Sequence, residues 1–113
     1  MTTIYKICGA ALWRDAERDG TFYGAAVDLQ DGFIHFSAAD QVAETAARHF
    51  AGMSDLVLVY VDAGKLGERL KWEPSRGGAL FPHLYGPLAL DAVTDAKPLP
   101  LGPDGRHRLP RLD

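Results

Sequence analysis

The chain has 113 residues, and a typical domain of roughly 100 to 150 residues leaves room for one domain and no second. Hydrophobic residues make up 47% and charged residues 24%, a balance that excludes a disordered chain and fits a globular one. Twelve Lys+Arg against 15 Asp+Glu give a net charge of −3; with no basic excess to hold a phosphate backbone, a nucleic-acid partner is not expected.

In chain order, the β-branched and aromatic residues from Thr3 to Cys8 predict a first strand, ended by Gly9. Leu12, Trp13 and Ala16 then recur at helical spacing, opposite Arg14, Asp15 and Arg18, and predict a helix over 10–19 stopped by Gly20. GTFYGAAVDLQDG, residues 20–32, has three glycines and no sustained period, so it reads as a long loop, and such loops in small domains tend to be functional. Phe33 to Ser37 predicts a strand whose period of two sets Phe33, His35 and Ser37 on one face. Ser37 then serves as N-cap of a second helix carrying Val42, Ala46 and Phe50 on one side and ending at Gly52.

LVLVYV, residues 56–61, predicts a central strand buried on both faces. ERLKWE, residues 68–73, predicts a strand near an edge, stopped at Pro74. PSRGGALFPHLYGPL is dense in Gly and Pro yet carries Phe81, His83, Leu84 and Tyr85, an unusual mix for a solvent loop, and a last strand is expected between Leu88 and Leu99. Helices early and strands late argue for an α+β domain over residues 1–99, followed by a tail over 100–113. The single cysteine, Cys8, excludes an internal disulfide and paired-cysteine zinc motifs. No signal-peptide core and no run of roughly 20 apolar residues is present. A cytoplasmic protein that does not enter membranes is therefore expected, and no metal.

His35 shares its face with the small polar Ser37 near a helix start, an arrangement that suits ligand orientation as well as a satisfied core histidine. Around Gly77 and Gly78, Glu73 could act as a base or bind a sugar hydroxyl, Arg76 could hold a phosphate, and Tyr85 could stack on a ring. A small hydrolase built on His35, Glu73 and His83 is a further reading, which requires these three to meet within hydrogen-bond reach. Asp28 and Asp31 are plausible acids facing a substrate, with Asp31-Gly32 first of all a turn signal.

IYKI, Trp13, Gly20, DGFIHFS, Gln41, TAARHFAG, DLVLVYV, LKWE and FPHLYGPL together resemble the bacterial family named domain of unknown function 952, over about residues 4–99. That family resembles the ADP-ribosyltransferase superfamily, in particular its RNA 2'-phosphotransferase branch. The resemblance implies a split antiparallel sheet with two N-terminal helices and NAD as co-substrate. It places His35 and Ser37 in the NAD cleft, sets Tyr5 and Lys6 at the first-strand position that meets the cofactor, and gives Tyr85 the aromatic part against nicotinamide. Lys6 stands where those enzymes carry a histidine, and Glu73 is the substitute for their catalytic glutamate. Sequence and resemblance thus imply a small-molecule nucleotide as ligand, either cleaved at its nicotinamide-ribose bond or bound by a noncatalytic regulatory module.

Overall fold

The computed structural model describes residues 2–112, apart from the side chain of Arg76. Its strands are β1 (Thr3–Gly9), β2 (Thr21–Phe22), β3 (Ile34–His35), β4 (Leu56–Asp62), β5 (Leu70–Pro74), β6 (Leu80–Leu84), β7 (Leu88–Ala89) and β8 (Val93–Leu99). The α-helices among the described residues are α1 (Ala10–Asp19), α2 (Ala26–Asp31) and α3 (Val42–His49), all in the first half of the chain. The strands form three antiparallel sheets, in the orders β1-β4-β8, β3-β6-β5 and β2-β7. The domain is α+β.

LVLVYV earns the centre of the largest sheet because it has an apolar residue for each face. Val59 and Val61 join a first core cluster with Ile4, Cys8, Trp13, Phe22, Ile34 and Leu84. Leu56 and Leu58 join a second on the opposite face, with Tyr5, Ile7, Val42 and Ala46. Leu109 and Leu112 of the C-terminal stretch pack against this second cluster, and His107 Nε2 bonds the carbonyl of Met53 at 2.8 Å. Helix α1 runs over the expected residues and buries Trp13 and Ala16; Gly20, at φ 79°, turns its N–H back to the Ala16 carbonyl. A left-handed residue at this point ends a helix with little strain only as glycine. No helix among the described residues is long and apolar enough to cross a membrane.

Three expectations need correction. Residues 20–32 are not a plain loop, because they hold β2 and α2, which gives three helices in place of two. Helix α2 has six residues, its Val27 and Leu29 are exposed, and the residue it buries is Asp28; hydrophobic periodicity cannot see such a helix. Ser37 is not an N-cap. Its backbone exchanges two 2.8 Å hydrogen bonds with Tyr5, so the chain is still extended there, and α3 begins only at Val42. The Gln41 side chain instead accepts from the Ala38 N–H and donates to the Leu80 carbonyl. The Gly- and Pro-rich segment contributes β6, the middle strand of its sheet, despite Pro82. Proline removes one donor from a ladder, and the Pro82 carbonyl still accepts from the Phe36 N–H.

Leu58 is fully buried while Leu29 is 67% exposed. Leu58→Ala is expected to cost about 2–5 kcal/mol in denaturant unfolding, and Leu29→Ala less than about 0.5 kcal/mol; equal costs would contradict this assignment of the core.

Candidate functional site

Alternation along β1 puts Lys6 on the same side as the core residues Ile4 and Cys8, so an ammonium group enters the first core cluster. A buried charge needs a partner, and Asp28 supplies it. Lys6 Nζ lies 2.9 Å from Asp28 Oδ1 and 2.8 Å from Oδ2. The same carboxylate accepts from His35 Nδ1 at 2.6 Å, the His35 N–H at 3.1 Å and the Ala25 N–H at 2.7 Å. Burial alone would raise the Asp28 pKa, but the His35 hydrogen bond, the Lys6 charge and the remaining donors outweigh it. They hold the carboxyl at about 2, below its ordinary 3.8. The neighbouring Cys8 thiol is pushed up to about 11, chiefly by burial, so it stays protonated and unreactive near neutral pH.

The backbone closes over this carboxylate at Gly24. With φ at 115° and an added Cβ only 2.8 Å from the Asp28 Cβ, no other residue fits without movement. On the outer side, His35 Nε2 meets Asp31 Oδ2 at 2.9 Å.

Strand register brings the second half of the site against the first. His35 pairs with His83 across β3 and β6, and Glu73 pairs with Phe81 across β5 and β6. Glu73 Oε1 accepts from His83 Nδ1 at 2.9 Å and from the Tyr85 hydroxyl at 2.7 Å. The Tyr85 and His83 hydrogen bonds lower the Glu73 pKa, and the bond to Glu73 raises that of Tyr85. Phe33 sits at the junction of the two halves. Its ring stacks on His83 with centroids 4.1 Å apart, and lies 4.6 Å from His35 and 5.3 Å from Tyr85. The two imidazoles are 5.5 Å apart, edge to face. A recess of about 260 Å3 opens beside Phe33, bounded by Tyr23, Asp28, Leu29, Gly86 and Pro87. It adjoins the polar cluster through Asp28, and the cluster, which holds the groups capable of proton transfer, is the candidate for chemistry.

Of the residues singled out from sequence, His35, Glu73, His83 and Tyr85 come together. Lys6 is close to them but is consumed by Asp28 inside the core. Tyr5 and Ser37 do not join: Tyr5 lies in the second core cluster with its ring edge-on to Tyr60 at 5.1 Å, and the Ser37 hydroxyl bonds that of Thr45 on α3 at 3.0 Å. His35 and Ser37 take different partners, Asp28 and Thr45, so they do not share a site. The Arg76 side chain lies outside the described residues. Asp28 is buried, orients His35 and lines the recess beside Phe33. Phe33 as an aromatic centre was not singled out, although its place two residues before His35 was a usable signal.

Asp28→Asn would leave Lys6 buried without its counter-charge, a change expected to cost about 3–5 kcal/mol. Because the folded-state pKa of Asp28 is lowered from 3.8 to about 2, it contributes about 2 kcal/mol at pH above about 4, lost as the pH falls through about 2. Denaturant unfolding of the parent between pH 5 and 2 should show this loss, and Asp28→Asn should lack that component; parallel pH profiles would refute the assignment.

Solved structures of a Caulobacter crescentus protein resemble this fold. A crystal structure of protein CC0527 superposes with a TM-score of 0.91 at 55% identity, over 95% of this chain and 94% of that one. A crystal structure of a double mutant of CC0527 gives a TM-score of 0.91 at 53% identity, over 95% and 94% of the two chains. A solution NMR structure of CC0527 gives 0.84 at 57% identity, over 94% and 91%. No curated protein matches the chain. Residues 7–96, which include every member of the His35, Glu73, His83 and Tyr85 cluster, match the model of the family described as "Protein of unknown function (DUF952)", and the chain belongs to that family.

Proposed function

We propose that this domain binds NAD or a related nucleotide in the manner of an ADP-ribosyltransferase and cleaves its nicotinamide-ribose bond. The observation that carries this reading is Glu73. Both of its side-chain hydrogen bonds, from His83 and Tyr85, fall on Oε1, so the carboxylate is braced through one oxygen while Oε2 is turned to neither donor. A fixed, ionised carboxylate beside an aromatic surface is what a positive charge developing on a ribose requires.

The residues fit such a ligand in kind. Phe33 and Tyr85 offer aromatic faces for a planar ring, and Glu73 Oε2 can accept from a ribose hydroxyl. Bound NAD would supply a bond whose breaking leaves positive charge on the ribose and the electron pair on nicotinamide. Glu73 would stabilise that charge. His83, with Nδ1–H committed to Glu73, keeps Nε2 as the acceptor for the proton shed by an attacking water or hydroxyl. His35, fixed by Asp28, adds a second oriented ring at the same junction.

A second reading, binding without turnover, is favoured by Lys6. It stands at the first-strand position where the transferases carry a cofactor-contacting histidine, and it is buried in an ion pair with Asp28. A nucleotide-binding regulatory module needs no replacement for it.

Incubation of the purified protein with NAD, with and without acceptors, should release nicotinamide, and Glu73→Gln should slow the release by about 100-fold or more while NAD still shifts the melting temperature. Stabilisation by NAD with no release supports the module, since a ligand bound only to the native state raises stability. No release together with unchanged NAD binding by His35→Ala would sink both forms of the proposal.

A further inference from the structure

We propose that Nε2 of His35 is a binding point for an anionic oxygen ligand, a phosphate or carboxylate group, and that Asp31 occupies this point from within the chain. The inference rests on the location of the site in the reading above but not on cleavage of NAD.

The two carboxylates that flank His35 are unequal. Asp28 is fixed: its side chain is 1% exposed, and it also bonds Lys6 and the Ala25 and His35 N–H groups. The Asp31 side chain is 42% exposed, at the last residue of α2. An ion pair exposed to this degree contributes little to stability, so another oxyanion can replace it at small cost.

The geometry gives the same answer. Lys6 and Asp28 cancel inside the core, and Asp28 holds the ring through Nδ1. With Asp31 swung away, Nε2 is left facing outward on a ring that is 31% exposed in its side chain. Bearing a proton, Nε2 takes an oxyanion at the 2.9 Å separation that Asp31 now shows. Phe33, 4.6 Å from the same ring, provides an apolar wall beside the point. Asp31 is thus an internal competitor, and the ligand pays for its displacement on binding.

The test is titration of the full chain with inorganic phosphate, and in parallel with acetate, at constant ionic strength, read from the imidazole and backbone resonances in NMR spectra. Asp31→Asn is expected to bind phosphate about fivefold more tightly than the parent, the scale of one unit charge removed from about 4 Å in water. The largest shifts should fall on His35, and Asp31→Asn combined with His35→Gln should lose the gain. Asp15→Asn, which removes the same charge from the exposed side of α1, serves as a variant outside the proposed point and should leave phosphate affinity unchanged. A response to acetate as strong as that to phosphate assigns the point to carboxylates; a stronger phosphate response assigns it to phosphate esters. Unchanged or weaker binding by Asp31→Asn, or shifts centred away from His35, overturns the proposal. Nicotinamide release decides the enzymatic reading separately: phosphate binding without release removes that reading and leaves this one, and the reverse result does the opposite.

Discussion

The buried contact between Lys6 and Asp28 is the constraint on which the site depends. Each charge would be costly alone in a core made of Ile4, Cys8, Ile34 and Val59, and a buried pair is strongly destabilised when one partner is removed. Its structural effect is to join three segments. Lys6 belongs to β1, Asp28 to α2 and His35, which donates twice to the same carboxylate, to β3. Helix α2 has no apolar face to anchor it, since Val27 and Leu29 point to solvent; Asp28 replaces that face with hydrogen bonds. Once His35 is fixed, the pairing of β3 with β6 sets His83 opposite, and the pairing of β6 with β5 brings Glu73 within reach.

Where the hydrophobic pattern carried the structure, the sequence was readable. Trp13 and Ala16 announced α1, LVLVYV announced the central strand, and Ile4, Tyr5 and Ile7 announced β1. Failures fell where polar contacts replace apolar burial. Helix α2 is organised around a carboxylate, and β6 carries a proline that the pattern reads as a break. Ser37, which looks like a cap by composition, is drawn instead into pairing with Tyr5. The site was legible in part for a related reason: His35, Glu73, His83 and Tyr85 stand out as polar and aromatic residues beside apolar ones, but their grouping is a product of strand register. Lys6 illustrates the limit. The family resemblance sets it at a cofactor contact, whereas alternation along β1 sends it into the core.

Membership in the family goes with the fold, which the Caulobacter crescentus structures share; the chemistry proposed for the site rests on Glu73, His83 and the aromatic junction at Phe33. The two histidines at this junction are held differently. His35 is bonded through Nδ1 to Asp28 and faces Asp31 at Nε2, while His83 is anchored through Nδ1 to a glutamate that also serves Tyr85. Two oriented imidazoles with different partners give the site distinct donor and acceptor character within a few ångströms.

The placement of Lys6 on β1 also bears on how the chain finds its fold. Successive residues of β1 face two different cores, and both are apolar, so hydrophobicity alone penalises a misaligned β1 weakly. Turning the strand over by one residue would still bury aliphatic and aromatic groups on each side. It would, however, drive the ammonium of Lys6 in among Tyr60, Leu58 and Val42 and strand Asp28 without its cation. One lysine therefore acts as an alignment key, rejecting the alternative pairing between β1 and β4 that the rest of the strand would tolerate.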